Sequence, residues 1–485
     1  MRFKLYSMIL IVTVLFILSS MTLYSQSYEI KVKFKTYKNN PVYLGFHYGN
    51  NKYIRDTAEV NNKGIVVFSG EEALPGGIYL IIVPNKNYFE LILNENKIYV
   101  ETDTGDFVKN MRVIESKENE VFYEYLHFMQ DIHFERTSIQ QEYNDLEASD
   151  SLGKQKIKDE LIRIDEKVFQ RRKQIINENP NLFFSTVVQA MQEPLPRDKM
   201  TSETDSVYRN YLYGFYQEHF FDNIDLSNQN IIRTPIYEAK IDRFVEKLTI
   251  RHPDSIKFAA QRIIDKSMAN EEVFKYTLIK LFNKYARSQY MGMDAVVVHL
   301  AERYYLSGKA SWADSTQIAK IYERVVNLSS NLIGMKAPEL IMQDTSKQYR
   351  SLHSLKSKYT VLLFWDVSCS HCKQIMPELK EFINRTPSDS VQVFAVYLGK
   401  DIKEWKKFLI ENKLPFIHVS DPQQFSNFRT LYDVYSTPVI YLIDEDKTIQ
   451  AKRIAVDKIE PIINTLEKRF DLVKTPIDEI EKVQE

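Results

Sequence analysis

Two cysteines, Cys369 and Cys372, make up the whole cysteine complement of this 485-residue chain. Their Cys-x-x-Cys spacing closes a loop too short to stabilise a fold by restricting the unfolded chain. A chain using disulfides as staples would scatter several pairs along its length. The spacing suits thiol–disulfide exchange, in which one sulfur attacks and the other reaches back to release the product. An ordinary thiol is only about 3% thiolate at neutral pH, and lowering its pKa to about 7 raises the reactive fraction roughly fifteen-fold. A helix first turn does this, because its free N–H groups and dipole favour an anion. Cys369 is the expected nucleophile and Cys372 the resolving thiol, with a Cys369–Cys372 disulfide as the oxidised form. His371, inside the turn, adds an imidazole that stabilises a thiolate when protonated, which moves the couple toward the oxidising side. The competing reading is a solvated histidine with little effect.

The sulfurs need elements to present them. Tyr359–Trp365 is a continuous apolar run fit for a central strand, and Ser370–Asn384 reads as the helix that follows. The β/α alternation continues with a strand over Val391–Tyr397 and a helix over Ile402–Asn412, for which Asp401 is the expected N-cap. A short strand at 416–419, a helix near 423–432, strands at 439–443 and 449–453 and a helix at 459–470 complete the pattern. Residues 331–472 therefore read as an α/β domain, and 473–485 as a charged tail.

Several of these residues carry a resemblance to thioredoxins. Phe364-Trp365 matches the strand end that leads to the dithiol, and Pro377 matches the proline that kinks the active-site helix. Thr437-Pro438, just before a strand, matches the cis-proline turn that faces the dithiol and hydrogen-bonds substrate backbone. The long stretch between Tyr397 and Thr437, with Gly334-x-x-Ala337-Pro338 upstream, resembles the TlpA/ResA-like thioredoxins of the bacterial envelope. The match covers about residues 332–470. It implies a thioredoxin fold that needs no cofactor, protein disulfides as substrates, and a reducing role recharged by a membrane thiol carrier. It further implies that Thr437 and Pro438 bind substrate and that Trp365 shapes the dithiol pocket. The sequence departs from the pattern at two positions. Leu363 stands where thioredoxins often carry a buried acid as proton relay, and Ser368 replaces the tryptophan that commonly precedes the first cysteine. Asp366 and Glu378 are the carboxylates left nearby.

Upstream the chain changes character twice. Seven of the 13 glycines lie between Gly45 and Gly105. Ile30, Val32 and Phe34 alternate with Lys31, Lys33 and Lys35, the pattern of a half-buried strand. Further strands are expected at 42–46, 65–68, 78–83, 88–93 and 98–101, with turns at Asn61-Asn62-Lys63-Gly64 and Pro75-Gly76-Gly77. Residues 26–115 thus read as an antiparallel β domain. Residues 116–330 read as helical: Ile157, Leu161, Ile164, Val168 and Ile175 keep a helical stripe, with breaks expected at Pro180, Pro194, Pro196, Pro235 and Pro253. Both modules resemble uncharacterised N-terminal modules attached to envelope thioredoxins, a likeness that implies architecture and no activity.

At the start of the chain, Arg2 and Lys4 precede an apolar stretch from Met8 to Leu18 and small or polar residues through Ser25. This is the layout of a secretory signal peptide over residues 1–25, cut near Ser25–Gln26. An uncleaved anchor is the alternative, opposed by Ser19 and Ser20. Export to the periplasm or cell envelope is expected, with no stable membrane span after cleavage. A formal net charge of −1 without a basic block argues against nucleic-acid binding. One Cys-x-x-Cys supplies two soft ligands where structural zinc wants four, so no metal site is expected. Copper handling, a thioredoxin-fold peroxidase and a docking protein switched by its dithiol are the competing readings.

Overall fold

Alternating apolar side chains and turn-forming residues build the N-terminal module of the protein, a computed structural model of which describes residues 28–147 and 149–474. The expected signal segment and the tail beyond residue 474 lie outside the described residues. Eight strands form: β1 (Tyr28–Phe34), β2 (Pro41–Tyr48), β3 (Asn51–Glu59), β4 (Ile65–Gly70), β5 (Gly77–Ile82), β6 (Tyr88–Leu93), β7 (Lys97–Thr102) and β8 (Arg112–Glu115). They make two four-stranded sheets, ordered β4-β1-β7-β8 and β3-β2-β5-β6. Every pairing is antiparallel except β1 with β7. Ile30, Val32 and Phe34 are buried, as their alternation with lysines requires. Gly64 sits at φ +81°, where a Cβ would run into the Phe34 carbonyl, so this turn needs glycine. β3 was not expected, because nearly all its residues are exposed and no alternation marks it. It is an edge strand held by its ladder with β2.

The helical stretch begins with α1 (Lys117–Asp145) and α2 (Ser151–Glu178), which pack along Ile132, Ile139, Ile157 and Ile164. Then come α3 (Phe183–Met191), α4 (Asp205–His219), α5 (Pro235–Lys247), α6 (Pro253–Ser267), α7 (Glu271–Ala286), α8 (Asp294–Leu300) and α9 (Ser315–Ser329). Pro235 and Pro253 open helices instead of interrupting them: a fixed φ and a missing N–H are harmless in a first turn. The chain divides into two compact units, residues 28–249 with 263–276, and residues 250–262 with 277–474. The helices are therefore shared between the units.

In the second unit a seven-stranded sheet runs β10-β9-β13-β12-β11-β14-β15. Its strands are β9 (Ile341–Asp344), β10 (Tyr349–Ser351), β11 (Tyr359–Trp365), β12 (Val391–Tyr397), β13 (Ile417–Ser420), β14 (Val439–Asp444) and β15 (Ile449–Lys452). The helices are α10 (Ser370–Asn384), α11 (Ile402–Asn412), α12 (Phe428–Leu431) and α13 (Ile459–Lys474). β11 is parallel to β12 and antiparallel to β14, and all seven of its residues are buried. Such a strand is covered on both faces, which explains its unbroken apolar sequence. Val361, Leu363 and Trp365 join Cys372, Met376 and Leu379 in one core; Leu362 and Phe364 join Phe428, Tyr432 and Tyr441 in the other. Each such side chain contributes about 1.5–3 kcal/mol by leaving water, so β11 anchors whatever lies at its end. The helix expected near 423–432 shortens to α12. Asp421 captures the backbone N–H groups of Phe425 and Ser426, and Gln424 and Asn427 take positive φ, which makes this stretch a turn.

Candidate active site

β11 ends at Trp365, and four residues separate it from the start of α10 at Ser370. The turn between them is set by Asp366, whose carboxylate accepts from the Ser368 N–H and hydroxyl, both at 2.8 Å. Cys369 is the N-cap of α10, and its Sγ accepts from the Cys372 N–H at 3.2 Å. A sulfur thus occupies the place where Ser or Asp commonly satisfies the free amides of a helix start. Cys369 is half-buried and Cys372 is fully buried, and both are free thiols.

The environments push the two thiols apart. Partial burial raises the Cys369 pKa. Hydrogen bonds from the Cys372 thiol, the Thr437 side chain and the backbone N–H groups of Cys372 and His371 outweigh that and bring it below the ordinary value. Burial first, and then the neighbouring Cys369, push Cys372 up to about 11. One sulfur is partly open to solvent and favours the anion; the other is buried and keeps its proton. This division matches attack by one sulfur and delayed resolution by the other.

The second wall comes from the loop ahead of β14. The Thr437–Pro438 peptide bond is cis, and the Thr437 carbonyl lies 3.4 Å from the Cys369 Sγ. Antiparallel pairing of β14 with β11, with Val439 opposite Phe364, brings this loop to the end of the strand that leads to the dithiol. Sequence separation of 68 residues thus becomes direct contact.

Of the residues singled out from the sequence, Cys369, Cys372, Thr437 and Pro438 come together. Trp365 is completely buried beneath them, in the Cys372 core, against Tyr397 and Phe408. His371 has an exposed side chain, and it is its backbone N–H that acts on Cys369. Pro377 lies inside α10. The Asp366 carboxylate is committed to its own turn, and Glu378 is exposed. Leu363 faces the Cys372 core, so an aliphatic side chain occupies the position where an acid relay was looked for.

Two features were not read from the sequence. His418, on β13, is half-buried near Trp365 and Phe416, and desolvation brings its pKa down to about 4. Asp433 is buried at φ +49°, accepting from Arg324 Nη1 at 2.5 Å and Arg453 Nη2 at 2.6 Å. These two ion pairs hold the start of the Val434–Pro438 loop. Asp tolerates left-handed backbone better than most residues, which was the one local signal available. Histidines outside this domain have ordinary settings: His47 bonds Glu90, His127 the Val108 carbonyl and His219 Asp222, while His133 is exposed.

Comparison with known proteins agrees with this geometry. Residues 333–452 match the AhpC/TSA family, while residues 28–122 and 187–329 match two families each described as a domain of unknown function, DUF4369 and DUF5106. The thioredoxin-like protein YneN of Bacillus subtilis is 29% identical over 120 residues, which are 24% of this chain and 68% of that protein. The thiol-disulfide oxidoreductase ResA of the same organism is 28% identical over 116 residues, 23% of this chain and 62% of that protein. The chain thus spans about two thirds of the length of these curated relatives. A solved domain of a possible thiol-disulfide isomerase from Cytophaga hutchinsonii is 37% identical, with 29% of this chain and 97% of that one covered and a TM-score of 0.28. No helix among the described residues is long and apolar enough to cross a membrane. With a Cys-x-x-Cys at a strand-to-helix turn and a cis-proline beside it, residues 333–452 form a thioredoxin-like domain that matches the AhpC/TSA family and is similar to thiol–disulfide oxidoreductases.

Proposed function

We propose that the C-terminal domain passes two electrons from its dithiol to protein disulfides, as a reductant in the cell envelope after export. The Cys369 thiolate attacks one sulfur of the substrate disulfide. The new Cys369–substrate bond forms as the substrate S–S bond breaks, and the first substrate thiolate leaves. Cys372 then loses its proton to solvent and attacks the Cys369 sulfur. The second substrate thiolate leaves, and a Cys369–Cys372 disulfide remains. The substrate has gained two electrons, and a dithiol carrier at the membrane returns the pair to its reduced form by the same chemistry. Thr437 and Pro438 offer backbone to the substrate, while Trp365 and Pro377 fix the dithiol turn.

The observation that carries this reading is the placement of the Cys369 sulfur. It caps α10, is partly open to solvent and touches the turn of the cis-proline. The reducing direction is what the resemblance to the TlpA/ResA-like thioredoxins implies.

Reduction of insulin disulfides with dithiothreitol as the electron source tests the proposal. Cys369→Ser is expected to lower turnover at least about a thousand-fold, the typical effect of removing a nucleophile that acts as part of a unit. Turnover that survives in this variant would place the chemistry elsewhere.

A further inference from the structure

The helices ahead of the thioredoxin-like domain leave an open groove beside its active-site loop. Tyr322 and Val326 lie one turn apart on α9 and so share a face; they are 60% and 38% exposed. Tyr435, 67% exposed, faces them from the loop that ends in Thr437–Pro438. Val434, Glu323, Asn327, Arg429 and Thr430 complete the lining of a cavity of about 450 Å³. All of these residues belong to the same compact unit.

Three large apolar side chains left exposed around one concavity are unusual for a surface with nothing to bind. The walls are also held in place. The Asn327 amide donates to the Tyr435 hydroxyl, and Arg324, on the same helix, donates to Asp433 just before the loop. Ser330 and Asn331 donate to the Leu431 carbonyl, both at 2.9 Å. The groove is thus fixed to the loop by bonds from the helix that forms its other wall.

Its position relative to the chemistry follows from chain geometry. Tyr435 is two residues from Thr437, so their Cα atoms lie no more than about 7 Å apart. The Thr437 carbonyl is itself 3.4 Å from the Cys369 sulfur. A substrate chain joined to that sulfur and running along the cis-proline turn reaches Tyr435 within two or three residues.

We infer that this groove is a substrate subsite: it takes an apolar side chain from an extended polypeptide segment flanking the cysteine that Cys369 attacks. The inference rests on the exchange reaction proposed above, and it gives α9 a part in substrate choice. The occupant is a polypeptide because the groove shares its Tyr435 wall with the loop that ends in Thr437–Pro438, the turn proposed above to meet the substrate backbone. The side chain is apolar because Tyr322, Val326 and Tyr435 present carbon surface, while Glu323 and Arg429 are the charged residues of the lining.

The test uses the full chain with Cys372→Ser, which halts the reaction at the mixed disulfide. Two peptides are supplied, each with one cysteine joined to glutathione, one flanked by leucines and one by glycines. The Cys369 thiolate bonds to the peptide sulfur, and the peptide–glutathione bond breaks with glutathione leaving as thiolate. The rate of peptide–protein adduct formation is read by mass spectrometry. The leucine peptide is expected to react roughly tenfold faster, in keeping with partial burial of one aliphatic side chain. Val326→Asp and, independently, Tyr322→Ala are each expected to narrow that ratio to less than about threefold. Equal rates for the two peptides, or a leucine preference that survives both substitutions, overturn the subsite. Absence of any adduct at Cys369 overturns the exchange reaction itself, and the subsite with it.

Discussion

Two helix starts in this molecule face the same physical problem and solve it for opposite ends. At α3, in the N-terminal unit, the free amides of Phe183 and Phe184 are taken by the carboxylate of Glu118 at 2.6 and 2.9 Å, and Asn94 donates to it as well. That acid is buried, and its acceptor capacity is turned entirely inward. At α10 the free amide of Cys372 is taken by the Cys369 sulfur at 3.2 Å, and that sulfur remains partly open to solvent. Both helix ends favour a negative group. A buried carboxylate with three donors fastens one segment to another. An accessible sulfur with the same help becomes a nucleophile. Exposure of the capping atom, more than its attraction to the helix, separates structure from chemistry.

Replacing the structural cap gives the largest effect on stability. Glu118→Leu strands two buried backbone donors, each costing about 1–3 kcal/mol, so a loss of about 4 kcal/mol is expected. Urea denaturation followed by far-UV circular dichroism measures it. A change below about 1 kcal/mol would mean that the amides at the α3 start find other partners, and the contrast between the two caps would fail.

A smaller effect, conditional on pH, comes from His418 beside Trp365. His418 titrates near 4 in the folded protein and near 6.5 when unfolded. Between these values the unfolded chain binds the proton and the folded chain does not, so stability falls as pH drops from about 6.5 to about 4. The loss at pH 4 is about 3 kcal/mol from this group. His418→Phe is expected to flatten the acid limb of the stability–pH curve by that amount while other carboxylates keep their own dependence. Parallel curves for the two proteins would show that His418 is already charged or solvated in the fold.

How much of this was legible in the sequence depends on the range of the forces involved. The β11 strand, the α10 helix and the Asp401 cap at α11 are written in consecutive residues: an apolar run, a periodic stripe, a capping side chain. The dithiol and its proline turn were legible because residue type and spacing carry the chemistry. β3 was invisible, since an exposed edge strand has no burial pattern to display. β9 and β10 are too short for alternation to register. The Arg324–Asp433 pair joins residues 109 positions apart, and the groove beside it has one wall in α9 and another in the Pro438 loop. Such features exist only after two remote segments meet. Asp366 stands near the dithiol in sequence, yet its carboxylate caps its own turn, an orientation that no pattern of consecutive residues declares.

The most direct test of the contrast between the two caps is the pH profile of alkylation at each cysteine of the reduced protein, followed by mass spectrometry with iodoacetamide. The account predicts that Cys369 is modified first, with a midpoint below that of an ordinary thiol, while Cys372 stays protected up to strongly alkaline pH. Modification of Cys372 at a rate equal to that of Cys369, or a Cys369 midpoint at or above the ordinary value, would contradict it.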